Sequence, residues 1–424
     1  MLRPVSESRE ATLKILYLAH RIPYPPNKGE KTRCFHQLQF LSARHSIDLF
    51  CFADSAKEAE GSQALQAFCR RVDVEILLPR TGYLRLARRL IGDLPASVVY
   101  YDSSSMHEAV RKAVSAGNYD LIFVYCSSMA QFVPLSAKVP TVIDFVDADS
   151  AKWTQYSQRT AFPLSRLYAR EGASLARYEK QTAEDFNLSI VTTPQEALDL
   201  GGGGCRSVEV VANGVTAPPA LDSQDLPAEI RQLQPYVLFV GTMDYRPNAD
   251  AVSYFAKEIF PLIRQSHRGL RFLIVGRNPT PAVQRLGRLP GVVVTGSVSD
   301  VHVYLAGAAV AVAPFRIAQG VQNKVLEALV AGVPVVLTSR PARAFSGPAA
   351  DLLLVADTPM AFADSVRSVL ENPELRHRSL QAAPDLQQLL SWQRSLSRLE
   401  ELVENLAGIS REAGSGVPSH APVC

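Results

Sequence analysis

The run Gln319-Gly-Val-Gln-Asn-Lys324-Val-Leu-Glu327-Ala-Leu-Val-Ala-Gly332-Val-Pro334-Val-Val336 decides how the chain is read. From about Val321 to Ala331 its apolar residues recur at helical spacing. Gly332 then reads as a C-terminal cap, and Pro334 opens a strand at Val335-Val-Leu337. Just upstream, Val310 to Ala313 is a short apolar run of strand length, so strand, loop, helix and strand follow one another as in a parallel crossover. The same alternation extends outward through strands Tyr236 to Val240, Arg271 to Val275 and Val292 to Thr295, with a helix over Ala249 to Ser266. It also fills the N-terminal half. There the strands are Lys14 to Ala19, Ser46 to Phe52, Val74 to Leu78, Leu121 to Tyr125, Thr141 to Val146 and Ser189 to Thr193, with helices over Thr32 to Ala43 and Ala56 to Arg70. The expectation is an α/β protein of two Rossmann-like parallel-sheet domains, 1–216 and 228–384, with a Pro-rich linker at 217–227. The apolar stripe Trp392, Leu396, Leu399, Leu402, Val403, Leu406 predicts a closing helix over 385–407. Residues 408–424, rich in Gly, Ser and Pro, read as a disordered tail.

Composition narrows the function. A chain of 424 residues with 47% apolar and 20% charged residues can bury more than one core. Its net charge of +3 gives no case for nucleic-acid binding. The longest apolar stretches free of charged residues, Leu121 to Ala137 and Val301 to Phe315, fall short of the ~20 residues of a membrane span. The run Ile15 to Ala19 is too brief for a signal-peptide core, which points to a cytoplasmic chain. Six isolated cysteines, with no CxxC pair, predict neither structural zinc nor a disulfide framework.

Ligands of open parallel sheets bind beyond the carboxyl ends of the strands, so the loops after each strand are the places for chemistry. In the second half these loops begin at Gly241, Gly276, Gly296 and Pro314. Glycine lets a backbone approach a ligand closely, and the helix after Gly320 offers free N–H groups to a phosphate. Lys324 and Glu327 lie three residues apart on one face of that helix, about 4.5 Å along its axis. Such a pair is either a surface ion pair or a phosphate-and-hydroxyl grip. The apolar residues around it favour the grip, because buried charges need partners.

The run from Gln319 to Val336 resembles the donor-site signature of retaining GT-B glycosyltransferases of family 4. Val240-Gly241-Thr-Met-Asp-Tyr-Arg246-Pro-Asn248, Ile274-Val-Gly276, Thr295-Gly-Ser-Val298-Ser-Asp300 and Asn213-Gly-Val215 fit the same pattern. In the first half, His20-Arg-Ile-Pro-Tyr-Pro-Pro-Asn-Lys-Gly29-Glu-Lys-Thr-Arg33 and Asp144-Phe-Val-Asp147-Ala-Asp149-Ser-Ala-Lys152-Trp153 resemble the sugar transferases of exosortase/PEP-CTERM exopolysaccharide systems. The resemblance implies two facing domains with a C-terminal crossover helix, and a metal-independent transfer of a hexosyl-type sugar. The donor is a nucleotide-diphosphate sugar and no cofactor is implied. The acceptor implied is a polyprenyl-linked glycan.

It also implies roles. Glu327 would hold the ribose, and Arg246 and Lys324 the diphosphate. Val298 would meet the base through its backbone, while Gly29, Arg33, Gly241, Gly276, Gln319 and Gly320 would line the donor. Three positions depart from the family pattern: Gln319 stands where a Glu is usual, Val146 where many members have His, and Thr216 where Asp is usual. Asp147 is therefore taken as the acceptor-side catalytic group, with helix capping by its neighbours as the plainer role. Asp147-Ala-Asp149 has the letters of a DxD metal motif but lies in the first domain. The basic amphipathic segment Arg80 to Ile91 fits either a solvated helix face or the inner face of the plasma membrane. Competing functions are a GT-B nucleotide-sugar 2-epimerase and a noncatalytic sugar-nucleotide-binding protein. A dinucleotide dehydrogenase is set aside, because Gly201 to Gly204 is a bare glycine run without GxGxxG placement.

Overall fold

A computed structural model describes residues 13–78, 93–134, 137–200, 207–219, 221 and 226–408. The basic segment at Arg80 to Ile91, the glycine run at 201–204 and the tail from 409 onward lie outside the described residues.

The described chain forms two compact units, one running to Ala212 and resuming at Ser395, the other Asn213–Arg394. The first unit holds a seven-stranded sheet in the order β3-β2-β1-β4-β5-β6-β7. Its strands are β1 (Lys14–Ala19), β2 (Ser46–Ala53), β3 (Arg71–Ile76), β4 (Leu121–Tyr125), β5 (Thr141–Asp144), β6 (Leu188–Val191) and β7 (Val208–Val210). The second holds six strands in the order β10-β9-β8-β11-β12-β13: β8 (Tyr236–Val240), β9 (Arg271–Val275), β10 (Val292–Gly296), β11 (Val310–Ala313), β12 (Val335–Leu337) and β13 (Leu353–Val355). Neighbouring strands pair parallel throughout. Central strands such as β4 and β11 are buried over their whole length, which is why they read as continuous apolar runs rather than alternating ones. In each unit the strand order reverses at its centre, between β1 and β4 and between β8 and β11. The loops after those strands diverge there and leave a crevice at the carboxyl ends.

The helices differ from expectation where local chemistry interrupts them. Ala56 to Arg70 is two short helices, Ala56–Ala59 and Ser62–Leu65, divided around Gly61. The second-unit helix starts at Arg246, three residues early, and loosens into a π turn at Phe255–Ile259 just before Pro261. Proline has no N–H to close the regular ladder, which accounts for the wider turn.

The closing helix is broken as well. Pro373–Leu389 ends one helix and Trp392–Leu406 begins another. At the break the Val215 N–H donates to the Leu390 carbonyl at 2.7 Å, and Val215 pairs with Ser391 as a parallel bridge. Gly214 makes this possible, because a Cβ there would lie 2.4 Å from Trp392 Cα. The Asn213-Gly-Val215 motif therefore belongs to the second unit. Residues Trp392 to Arg394 count with that unit, and from Ser395 onward the helix counts with the first. There Leu396, Leu399 and Val403 are buried, and Arg44 pairs with Glu400 and Glu404.

Among the described residues no helix is long and apolar enough to cross a membrane. The contact at Gly214 yields a stability prediction: Gly214→Ala lowers the unfolding free energy by about 1–3 kcal/mol, the usual cost of overpacking, measured by urea denaturation. An unchanged midpoint would refute the close approach.

Candidate functional site

The second unit gathers its polar groups beside the β8/β11 reversal. β8 ends at Val240, and Gly241 opens the loop to the helix Arg246–Tyr254. A Cβ on Gly276, which follows β9, would lie 1.7 Å from the Gly241 carbonyl oxygen, so the two loops press backbone to backbone. A Cβ on Gly241 would lie 2.7 Å from Asn248 Nδ2 and 2.9 Å from Lys324 Nζ. Both glycines are needed for the lysine to stand where it does.

The loop after β11 approaches from the other side. Gly320, at φ 63°, adopts the left-handed conformation that glycine tolerates best, and Gln322 is extended before the helix Asn323–Val330. The helix thus begins two residues later than the periodicity suggests. Lys324 and Glu327 remain in its first two turns. Gln322 makes no side-chain cap, so the first N–H groups keep their capacity for an anion. Arg316 in the same loop is committed to Asp250 on the Arg246–Tyr254 helix, with Nε at 3.0 Å from the carboxylate. That ion pair links the loops after β8 and β11.

Lys324 is held in an unusual way. Its Nζ donates to Asn248 Oδ1 at 2.7 Å and lies 4.2 Å and 4.7 Å from the ring centroids of Phe239 and Phe315. Asn248 is itself fixed by donating from Nδ2 to the Thr242 carbonyl at 2.9 Å. Burial lowers the Lys324 pKa to about 7, with Glu327 acting against the fall. Burial likewise raises Glu327 to about 7, with Lys324 opposing. Two groups that titrate together near neutrality, one basic and one acidic, lie one helical turn apart. Such paired displacement marks functional sites more often than structural ones.

The remaining second-unit candidates surround this pair in the order of the strands. Arg246 opens its helix and is partly buried. Val298 packs its side chain on the core, and Gln319 offers its carbonyl to Gln322 Nε2 at 3.1 Å. Asn248 was not among the sequence candidates, although a buried asparagine two residues after Arg246 was a readable signal.

In the first unit, Gly29 opens the helix Gly29–Leu41. Arg33 on that helix is 0% exposed, and its Nε donates to Asp144 Oδ2 at 2.8 Å. Gln37 Nε2 donates to the same oxygen at 2.6 Å. Arg33 therefore secures the end of β5, because an ion so deeply buried needs its counterion. Asp144 Oδ1 accepts the Val146 N–H at 2.9 Å, and Val146 sits at φ 67°, an uncommon conformation for a β-branched residue. That turn presents Asp147. Burial first, then Glu196 and Asp149, push the Asp147 carboxyl well above the usual range. It does not cap the next helix, whose N-cap is Ala148.

Two further residues stand at the β1/β4 reversal, neither given a role by the sequence. His20 and Cys126 directly follow the paired ends Ala19 and Tyr125. Burial disfavours both charged forms, yet the thiol raises His20 and the imidazole lowers Cys126. Among the described residues one set of side chains has metal-ligand spacing: His45, Glu400 and Glu404, with ligand atoms within 4.8 Å of one another. Asp147 and Asp149 are not part of it.

Residues 234–372 match the family model described as glycosyl transferases group 1. No curated protein matches the chain by sequence. Several solved structures share its fold. Sucrose-phosphate synthase from Thermosynechococcus elongatus aligns with a TM-score of 0.69 at 17% identity, covering 94% of this chain and 100% of that one. HepE from Anabaena, solved in complex with UDP-glucose, aligns with a TM-score of 0.64 at 15% identity, over 93% and 100% of the two chains. WaaG, a glycosyltransferase involved in lipopolysaccharide biosynthesis, aligns with a TM-score of 0.61 at 16% identity, also over 93% and 100%. The fold is the α/β GT-B fold, and the family match over residues 234–372 supports a sugar transferase.

Proposed function

We propose that the protein is a retaining, metal-independent glycosyltransferase of family 4 that moves a hexosyl-type sugar from a nucleotide-diphosphate sugar to a hydroxyl. The acceptor in this reading is a polyprenyl-linked glycan of exopolysaccharide synthesis, met at the cytoplasmic membrane face. The observation that carries the donor half is the Lys324 and Glu327 pair at the start of a helix beside the β8/β11 reversal. The first-unit motifs around His20 to Arg33 and Asp144 to Trp153, with their likeness to exosortase-associated transferases, support the acceptor.

Charge explains the mechanism. As the bond from sugar to diphosphate breaks, negative charge grows on the leaving group. Arg246, Lys324 and the helix N–H groups after Gly320 stabilise that charge without reorganising. Lys324 gains most, because its desolvated amine takes up a proton when an anion arrives. Glu327, once ionised, accepts two vicinal ribose hydroxyls. Asp147 orients a hydroxyl of the sugar or acceptor through its carboxyl group. The donor is a substrate and no cofactor is required.

Glu327→Ala weakens binding of the nucleotide sugar by roughly ten- to a hundredfold, the equivalent of about 1.5–3 kcal/mol in charge-assisted hydrogen bonds, read by calorimetry with UDP-glucose. Lys324→Ala lowers kcat by on the order of 10²–10³, as loss of one charge stabiliser does. Near-normal transfer by both variants would remove the donor assignment. Nucleoside diphosphate released only when acceptor is present distinguishes transfer from epimerisation.

The pair also predicts a pH profile. Above about 7 the free Lys324 is neutral and must take up a proton to hold the diphosphate, so affinity falls as pH rises. Below about 7 the free Glu327 is protonated and must lose that proton to accept both hydroxyls, so affinity falls as pH drops. UDP-glucose affinity should peak near neutrality, and Glu327→Gln should abolish only the acid limb. A flat profile between pH 6 and 8.5, on the order of one to two units either side of the shared pKa, would contradict the pairing.

A further inference from the structure

The helix pair Asp149–Gln158 and Leu164–Asp185 carries a surface that sugar transfer does not use. Between Ser150 and Ala183 the exposed charged residues are Arg159, Arg166, Arg170, Arg177 and Lys180, all cationic. The two acids of this stretch are turned inward. Glu171 accepts the Ala96 N–H at 2.9 Å, and Glu179 bonds Ser150. Both are buried. Positions 166, 170, 173, 177 and 180 recur at four- and three-residue steps, so four cations and Ala173 form one stripe about 21 Å long on a single helix face. None of the five cations has a carboxylate within ion-pair distance among the described residues.

At the start of this stripe the surface turns apolar. Phe162 is 74% exposed, Leu164 49% and Leu167 50%. Phe162 stands in the connection before the long helix, while Leu164 and Leu167 occupy the side of its first turn next to Arg166 and Arg170. Water contact with these three groups is unfavourable, and burial in an apolar layer would relieve it. An unpaired cation stripe suits an anionic surface, and a phenylalanine and two leucines at its end suit the acyl boundary of a bilayer. A soluble polyanion would use the cations but leave the apolar tip wet.

We propose that this hairpin docks the protein on an anionic phospholipid bilayer, with Phe162, Leu164 and Leu167 entering the headgroup boundary and the Arg166 to Lys180 stripe lying over the lipid phosphates. Docking deepens the membrane-face part of the reading above, but it is measured without donor or acceptor and so fails or succeeds apart from it.

The test is cosedimentation of the full chain with phosphatidylcholine vesicles, with and without phosphatidylglycerol. The expected result is binding to the anionic vesicles alone, weakening as salt rises. Each Lys or Arg at a membrane surface is worth about fivefold in affinity, so Arg166→Gln with Arg170→Gln and Arg177→Gln weakens binding on the order of a hundredfold. Phe162→Ser with Leu167→Ser removes the salt-resistant part of the binding. All variants lie on exposed surface, and an unchanged thermal midpoint verifies that they fold. Failure of the full chain to bind anionic vesicles, or triple-variant binding equal to the parent, overturns the proposal. It is also overturned if Gln at Arg80, Arg85, Arg88 and Arg89 alone abolishes binding while the hairpin variants bind normally. Equal binding to a soluble polyanion, insensitive to Phe162 and Leu167, would replace the bilayer with that partner.

Discussion

The pairing of β8 with β11 is the constraint on which the donor-side geometry rests. Val237 and Leu238 hydrogen-bond in register with Val310 and Ala311, although seventy-odd residues of chain separate them. Because β9 and β10 lie on one side of β8 and β12 and β13 lie beyond β11, the crossovers leave this junction in opposite directions. Gly241 and Lys324 arrive over the same gap from two remote parts of the chain. The Arg316 to Asp250 ion pair then ties the two arrivals together. Any sequence that kept the two loops but lost the strand pairing would scatter the site.

The same geometry makes the lysine reactive to its environment. An ammonium ion set between two phenylalanine rings and one amide oxygen has lost most of its water, and one neutral hydrogen bond with ring contacts does not restore it. The site therefore stands under-compensated toward negative charge when empty. Asn248 orients the amine without neutralising it, which an aspartate at that position would do. On the first unit the arrangement is opposite. Asp144 accepts from Arg33, Gln37 and the Val146 N–H, and this rigid base supports a strained turn that carries Asp147. One unit keeps its charge available, while the other spends its buried ion pair on holding a loop in place.

Much of this was legible in the sequence, for identifiable reasons. Parallel strands buried on both faces appear as unbroken apolar runs, so eleven strands and the double α/β architecture could be read directly, whereas the three-residue edge strands β7 and β13 are too short to signal themselves. Loop glycines marked the carboxyl ends. The Lys324 and Glu327 pair was visible through helical spacing, which survives a two-residue shift of the helix start. What could not be read depended on long-range contacts. That Arg33 is paired, with a counterion 111 residues away, cannot be seen from the sequence around it. The helix break at Leu390 and Ser391 has no proline or glycine to announce it. It arises from Val215 pairing with a distant segment, and Gly214 signals the contact only once its neighbour Trp392 is seen. The stripe Arg166 to Lys180 was in plain view as sequence, but its meaning required knowing that Glu171 and Glu179 point inward.

The division of the Trp392–Leu406 helix between the units has a bearing on how the protein is made. The second unit is one uninterrupted segment, Asn213–Arg394, and all its strands can pair as soon as that segment has left the ribosome. The first unit is not. Although its sheet is synthesised before the second unit, it lacks Leu396, Leu399 and Val403 until that unit has been made. The sheet made before the second unit is thus completed after it, and removal of residues 395–408 would damage the first unit's core rather than trim an appendage, since each lost leucine leaves a cavity worth about 2–5 kcal/mol.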